Sequence, residues 1–209
     1  MHVPRGAIYG LVGRNGAGKT TLIRLICGLQ RPSGGSYSLY GAESTTPHLA
    51  TVRRRMGAVV ETPSIYQDLS AVDNLREQYR VLGLPSEEGI PELLRLVGLG
   101  DTGRKRAKHF SLGMRQRLGI AVALAGAPDF LVLDEPVNGL DPQGIIEMRE
   151  LILKLNREQN ITVLISSHIL DELSRLATHY GFLDSGRMVK EMSAQALEAA
   201  CRKCLRVEV

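Results

Sequence analysis

A chain of 209 residues with 44% hydrophobic side chains suits one domain, or a domain with a sub-lobe, and has enough apolar material for a sizeable core, which excludes a disordered chain. The 26 Lys and Arg against 22 Asp and Glu give a formal charge of +4, a mild excess that suits nucleotide phosphates or an anionic membrane surface without marking a nucleic-acid binder. Cys27, Cys201 and Cys204 form no disulfide framework and point to a reducing, cytoplasmic setting; no apolar run is long enough to span a bilayer, and the start at Met1 lacks a signal-peptide core.

The first predicted element is a buried strand over Ala7 to Val12, followed at residues 13–20 by Gly-Arg-Asn-Gly-Ala-Gly-Lys-Thr and then by helix-like Thr21 to Cys27, stopping at Gly28. Strand, glycine loop and helix in that order make a phosphate-binding loop, whose backbone N–H groups curl around phosphates while the helix N-terminus turns its positive end toward them. Gly13, Gly16 and Gly18 are expected to supply unusual backbone angles and close phosphate approach. Lys19 is expected to reach the β- and γ-phosphates and the Thr20 hydroxyl to ligate magnesium, with Arg14, Asn15, Ala17 and Thr21 completing the nucleotide contacts. The chain therefore reads as binding a nucleoside triphosphate.

Arg31 to Gly35 reads as a turn into Ser36–Tyr40, and Met56 to Val60 as another buried strand. From Ser70 to about Leu124 the apolar spacing turns helical: Val72, Leu75, Tyr79 and Leu82 share one face, Leu93, Leu94 and Val97 another, and Leu112 to Leu124 forms a third helix. Strands return at Phe130–Leu133, Thr162–Ser166 and Tyr180–Asp184, with a helix over Pro142 to Asn156. Continuous apolar strands alternating with helices predict a parallel sheet covered on both faces, with ligands at the carboxyl ends of its strands.

The remaining motifs fall at those ends. Phe130–Leu133 runs into Asp134-Glu135-Pro136, which resembles a Walker B site. Phe110-Ser111-Leu112-Gly113-Met114 resembles the signature sequence of ABC ATPases, Asn138-Gly139-Leu140-Asp141 resembles their D-loop, and Ser166-Ser167-His168 after an apolar strand resembles their switch histidine. With the phosphate loop, five motifs in the family's order identify essentially the whole chain as a member of the ABC nucleotide-binding domains.

The resemblance implies an α/β P-loop NTPase fold, a RecA-like parallel-sheet core at about residues 1–61 and 126–190, a helical ABC sub-lobe at about 62–125 and a tail at 191–209, all one domain. It implies ATP and Mg2+ as cofactors and ATP hydrolysis as the reaction. Asp134 would hold the metal through water, Glu135 would polarise the attacking water and His168 would hydrogen-bond the γ-phosphate. Ser111, capping a helix that faces phosphate, Gly113 and Asp141 would meet the nucleotide of a second ABC ATPase domain, with a homodimer expected. The implied setting is the inner face of the cell membrane, peripheral to a separate membrane permease subunit.

Two departures refine this. Glu61 stands where most relatives have the Q-loop glutamine, and with the Ser-Leu-Gly-Met signature it resembles the bacitracin and lantibiotic exporter ATPases; Glu61 becomes a candidate metal ligand. Only twelve residues precede Gly13 and Tyr9 belongs to the core strand, so the adenine-stacking aromatic of relatives is missing, and Leu205 to Val209 looks like the start of a new strand; a fragment truncated at both ends is expected. The expected function is an ATPase that powers export of antimicrobial peptides or drugs, hence antibiotic resistance.

The alternative is a soluble ABC ATPase acting on nucleic acid or ribosomes. Arg53-Arg54-Arg55 and Arg104-Lys105-Arg106-Ala107-Lys108 would be its patches, but they lack interleaved aromatics, and the spacing from Gly13 to Ser111 leaves no room for a long coiled coil, so no nucleic-acid partner is expected. Cys201-Arg-Lys-Cys204 has metal-ligand spacing without a second pair, and two helix-end thiols are expected there.

Overall fold

The computed structural model describes residues 1–201; Cys204 and the strand start expected at 205–209 lie outside the described residues. In chain order come β1 (Ile8–Val12), α1 (Lys19–Cys27), β2 (Ser38–Leu39), β3 (Ala42–Glu43), α2 (His48–Val52) and β4 (Met56–Val59). A helical stretch follows with α3 (Ala71–Leu82), α4 (Ile90–Leu96) and α5 (Leu112–Leu124). The chain then alternates through β5 (Phe130–Asp134), α6 (Pro142–Gln159), β6 (Thr162–Ser167), α7 (Leu170–Ser174), β7 (His179–Asp184), β8 (Arg187–Ser193) and α8 (Ala194–Cys201).

Six strands form one sheet in the order β4-β5-β6-β1-β7-β8, parallel except for β8, while β2 and β3 make a separate two-stranded ribbon. Side chains on a strand alternate between faces, and the burial follows that period of two. Ile8, Leu131, Leu133, Val163 and Ile165 face a large core shared with α3 to α6, whereas Tyr9, Leu11, Val132 and Leu164 face Ile23 and Ile26 of α1. Both faces are therefore dry, as the continuous apolar strands required.

Three helices of the sub-lobe and core, α3, α5 and α6, start on side-chain caps. Ser70 Oγ accepts the Asp73 N–H at 3.1 Å for α3, Ser111 Oγ the Met114 N–H at 3.2 Å for α5, and Asp141 Oδ1 the Gly144 N–H at 3.0 Å for α6. On α3, Leu75 and Tyr79 are buried as expected, but Leu82 is 45% exposed at the last turn. Helix α6 runs three residues past the expected Asn156 and ends where Asn160 takes the left-handed conformation (φ 54°).

One edge strand, which the sequence did not announce, runs against the parallel core. Ser185 and Gly186, both at positive φ (47° and 76°), turn the chain in two residues so that Asp184 faces Arg187 and β8 adds an antiparallel edge. That strand crosses residue 190 into the stretch taken as tail.

Candidate functional site

The parallel register brings three strand ends to one edge: Val12 of β1 lies opposite Ser167 of β6, and Asp134 of β5 opposite Ser166. The phosphate loop springs from the first of these ends. Gly18 sits at φ 103°, a conformation open to glycine alone among ordinary residues. Gly13 is needed for a different reason than backbone angle, since a Cβ there would come within 2.5 Å of the Leu183 carbonyl oxygen of β7. The β7–β8 turn backs the loop again, with the Gly186 N–H donating to the Ala17 carbonyl at 2.9 Å.

Lys19 is only 5% exposed, and its ammonium donates to the carbonyls of Gly13 (2.7 Å) and Arg14 (3.2 Å). It also pairs with Glu135 Oε1 at 3.1 Å, while Glu135 Oε2 lies 2.8 Å from His168 Nδ1. Glu135 thus joins the phosphate-loop lysine to the histidine after β6. The Thr20 hydroxyl donates to Asp134 Oδ2 at 2.9 Å. Ser166 completes the cluster: its hydroxyl donates to Asp134 Oδ1 at 2.6 Å and accepts the Glu135 N–H at 2.9 Å.

An alcohol and a carboxylate in contact at the start of a helix are a donor set for a small hard cation that keeps its other positions for water and phosphate oxygens. Among the described residues no group of three or more His, Cys, Asp or Glu side chains could hold a metal alone. The Thr20–Asp134 pair is such a donor set, and the loop N–H groups beside it suit phosphate oxygens. Glu61 is placed elsewhere: its carboxylate pairs with Arg24 Nη2 of α1 at 2.5 Å.

Ser111 and Asp141 are exposed at the starts of α5 and α6, each engaged with its own helix. Leu140 lies over Gly113 and Leu112 over Gly139, so the D-loop-like segment packs against the signature-like helix start. Sequence reasoning missed the contacts of Ser166, which follow from the β5–β6 register, and the pairing of Arg24 with Glu61. The adjacent Ser167 is fixed too, donating to Glu172 Oε2 at 2.5 Å.

The ABC transporter family model matches residues 1–138. The bacitracin transport ATP-binding protein BcrA of Bacillus licheniformis is 44% identical over 209 residues, which is 100% of this chain and 68% of that protein. The lantibiotic transport ATP-binding protein SrtF of Streptococcus pyogenes is 44% identical over 191 residues, covering 91% of this chain and 81% of that one. A solved ATP-binding subunit of an ABC transporter superposes with a TM-score of 0.80 at 32% identity, covering 96% of this chain and 84% of its own.

Proposed function

The chain belongs to the ABC transporter family as an ATP-hydrolysing subunit, and from that premise we propose that it powers export of antimicrobial peptides of the bacitracin or lantibiotic kind through a separate membrane permease. The observation that carries the ATPase part is the Lys19–Glu135–His168 chain of contacts beside the Thr20–Asp134 pair. The cargo reading is supported by the likeness to BcrA and SrtF over nearly the whole chain.

In this reading residues 13–18 and Thr21 cradle the phosphates of ATP with backbone N–H groups, and Lys19 neutralises the transferring phosphoryl oxygens. Thr20, Asp134 through water, and Glu61 as a further candidate ligand would hold Mg2+, which would supply charge neutralisation of the leaving phosphate oxygens. Glu135 accepts a hydrogen bond from the attacking water and orients it, and His168 fixes the carboxylate that does so. Ser111, Gly113 and Asp141 of a second copy close over the nucleotide.

Among the described residues no helix is long and apolar enough to cross a membrane, so attachment at the inner membrane face would come through the permease. Deleting the gene in its host should raise sensitivity to bacitracin or to a lantibiotic. Complementation with the parent chain should restore growth, and complementation with Lys19→Ala, which should also lose tight binding of a fluorescent ATP analogue, should not. Unchanged sensitivity to both peptide classes would overturn the cargo; equal ATP affinity of the two proteins would remove Lys19 from the site.

A further inference from the structure

We propose that Arg24 is a positioning residue that holds the Glu61 carboxylate away from the Thr20–Asp134 pair and so sets how much magnesium the site needs. The proposal rests on the reading of Glu61 as a metal ligand given above. Three observations lead to it. Arg24 lies four residues after Thr20 on α1, hence on the same face one turn along, and its guanidinium meets Glu61 Oε1 at 2.5 Å.

Next, β4 runs beside β5 with Val59 opposite Leu133, so the chain that carries Glu61 leaves the sheet alongside the residue that precedes Asp134 in β5. Finally, Glu61 itself is held at φ 59°, a region where a side chain is rarely found unless its surroundings impose it. Those surroundings are visible: the Thr62 N–H closes a tight turn on the Val60 carbonyl at 2.7 Å, and Pro63 presses on α5 at Gly119, where an added Cβ would come within 2.6 Å of the ring.

A carboxylate held by a guanidinium through Oε1 is less free to turn toward a divalent cation and offers it less charge. The guanidinium therefore competes with the metal for Glu61. Both side chains are substantially exposed, at 42% for Arg24 and 52% for Glu61, so the competition has the size of a surface ion pair and weakens in high salt.

The test is the magnesium midpoint for binding a fluorescent ATP analogue to the purified chain, measured for the parent, Arg24→Ala, Arg24→Lys, Glu61→Gln and the Arg24→Ala/Glu61→Gln double variant. Arg24→Ala should lower the midpoint roughly two- to fivefold, the range an exposed ion pair can impose. Arg24→Lys, which keeps the charge, should stay close to the parent, and Glu61→Gln should raise the midpoint. In the Glu61→Gln background Arg24→Ala should have no further effect.

A purely structural role of Arg24 would change binding without magnesium and the melting of the nucleotide-free chain, neither of which the latch requires. An equal drop in both backgrounds would overturn the proposal, because the lost positive charge alone would then account for it. An unchanged midpoint in Arg24→Ala beside a raised one in Glu61→Gln would overturn the latch and leave Glu61 as a ligand. Unchanged midpoints in both single variants would remove the metal role of Glu61 and the latch together.

Discussion

Glu135 occupies a left-handed backbone conformation (φ 48°) immediately after β5, with one oxygen toward Lys19 and the other toward His168. Such a conformation persists only where neighbours impose it, and here the Ser166 hydroxyl takes the Glu135 N–H. Glu135→Gln keeps size and shape while removing the negative charge that a water-orienting group needs. Single-turnover phosphate release should fall by about 10²–10⁴-fold, the usual worth of such a group, with the affinity for ATP retained. Release at the parent rate would take Glu135 out of the chemistry. The place of this residue at a strand's carboxyl end was legible from Asp-Glu-Pro after an apolar strand, but its contacts were not: Lys19 and His168 are distant in sequence and meet only through the order β5-β6-β1. Ser166 was hidden for the same reason, a serine in a strand being ambiguous until its neighbour across the sheet is known.

Elements were legible where burial was two-sided. Strands β1, β5 and β6 are continuous apolar runs because both faces of the sheet are covered, and that pattern announces itself. Strand β8 did not, because as an edge strand it carries Arg187, Lys190 and Glu191 and lacks an apolar run. Its signal was the two-residue Ser185-Gly186 turn. The basic run Arg53-Arg54-Arg55 shows the same lesson in reverse: Arg53 Nε donates to the Ile26 carbonyl at 3.1 Å and Nη2 to Leu25 at 3.4 Å, while Arg55 pairs with Asp129 and stacks 4.0 Å from the Tyr40 ring centroid. Two of its three cations are thus engaged within the fold.

Arg53 matters to α1 in particular. It places a cation at the carbonyl end of the phosphate-loop helix, together with the Tyr37 hydroxyl, which donates to Leu25 at 2.8 Å, and it complements the helix dipole there. Burial, partly offset by this guanidinium and reinforced by Asp134, also pushes the neighbouring Cys27 thiol up to about 11. Arg53→Gln should lower stability in urea unfolding by about 1–3 kcal/mol, the cost of leaving partly buried carbonyls without a charged donor. Arg53→Lys should recover part of it. An unchanged unfolding midpoint in Arg53→Gln would show that the cap contributes nothing.

At the scale of the molecule, motif order made the fold legible, yet the motifs do not all converge within one copy. The phosphate loop, Asp134, Glu135 and His168 share the carboxyl edge of the sheet, whereas Ser111 and Asp141 sit exposed at two helix starts joined by the Leu112–Gly139 and Leu140–Gly113 contacts. An exposed helix start is suited to phosphate, and a two-fold arrangement would let each copy offer its own to the nucleotide of the other. Stalling hydrolysis should therefore trap a dimer bridged by nucleotide. Glu135→Gln with ATP and Mg2+ should elute from a sizing column at twice the 22.9 kDa of the monomer, and adding Ser111→Arg should return it to the monomer position, since a bulky side chain at that helix start would fill the space the second copy's phosphates need. Light scattering on the eluted peaks fixes the masses. If Glu135→Gln binds ATP but stays at monomer mass, the two-copy site fails; if the Ser111→Arg variant dimerises equally well, the contact between copies lies away from α5.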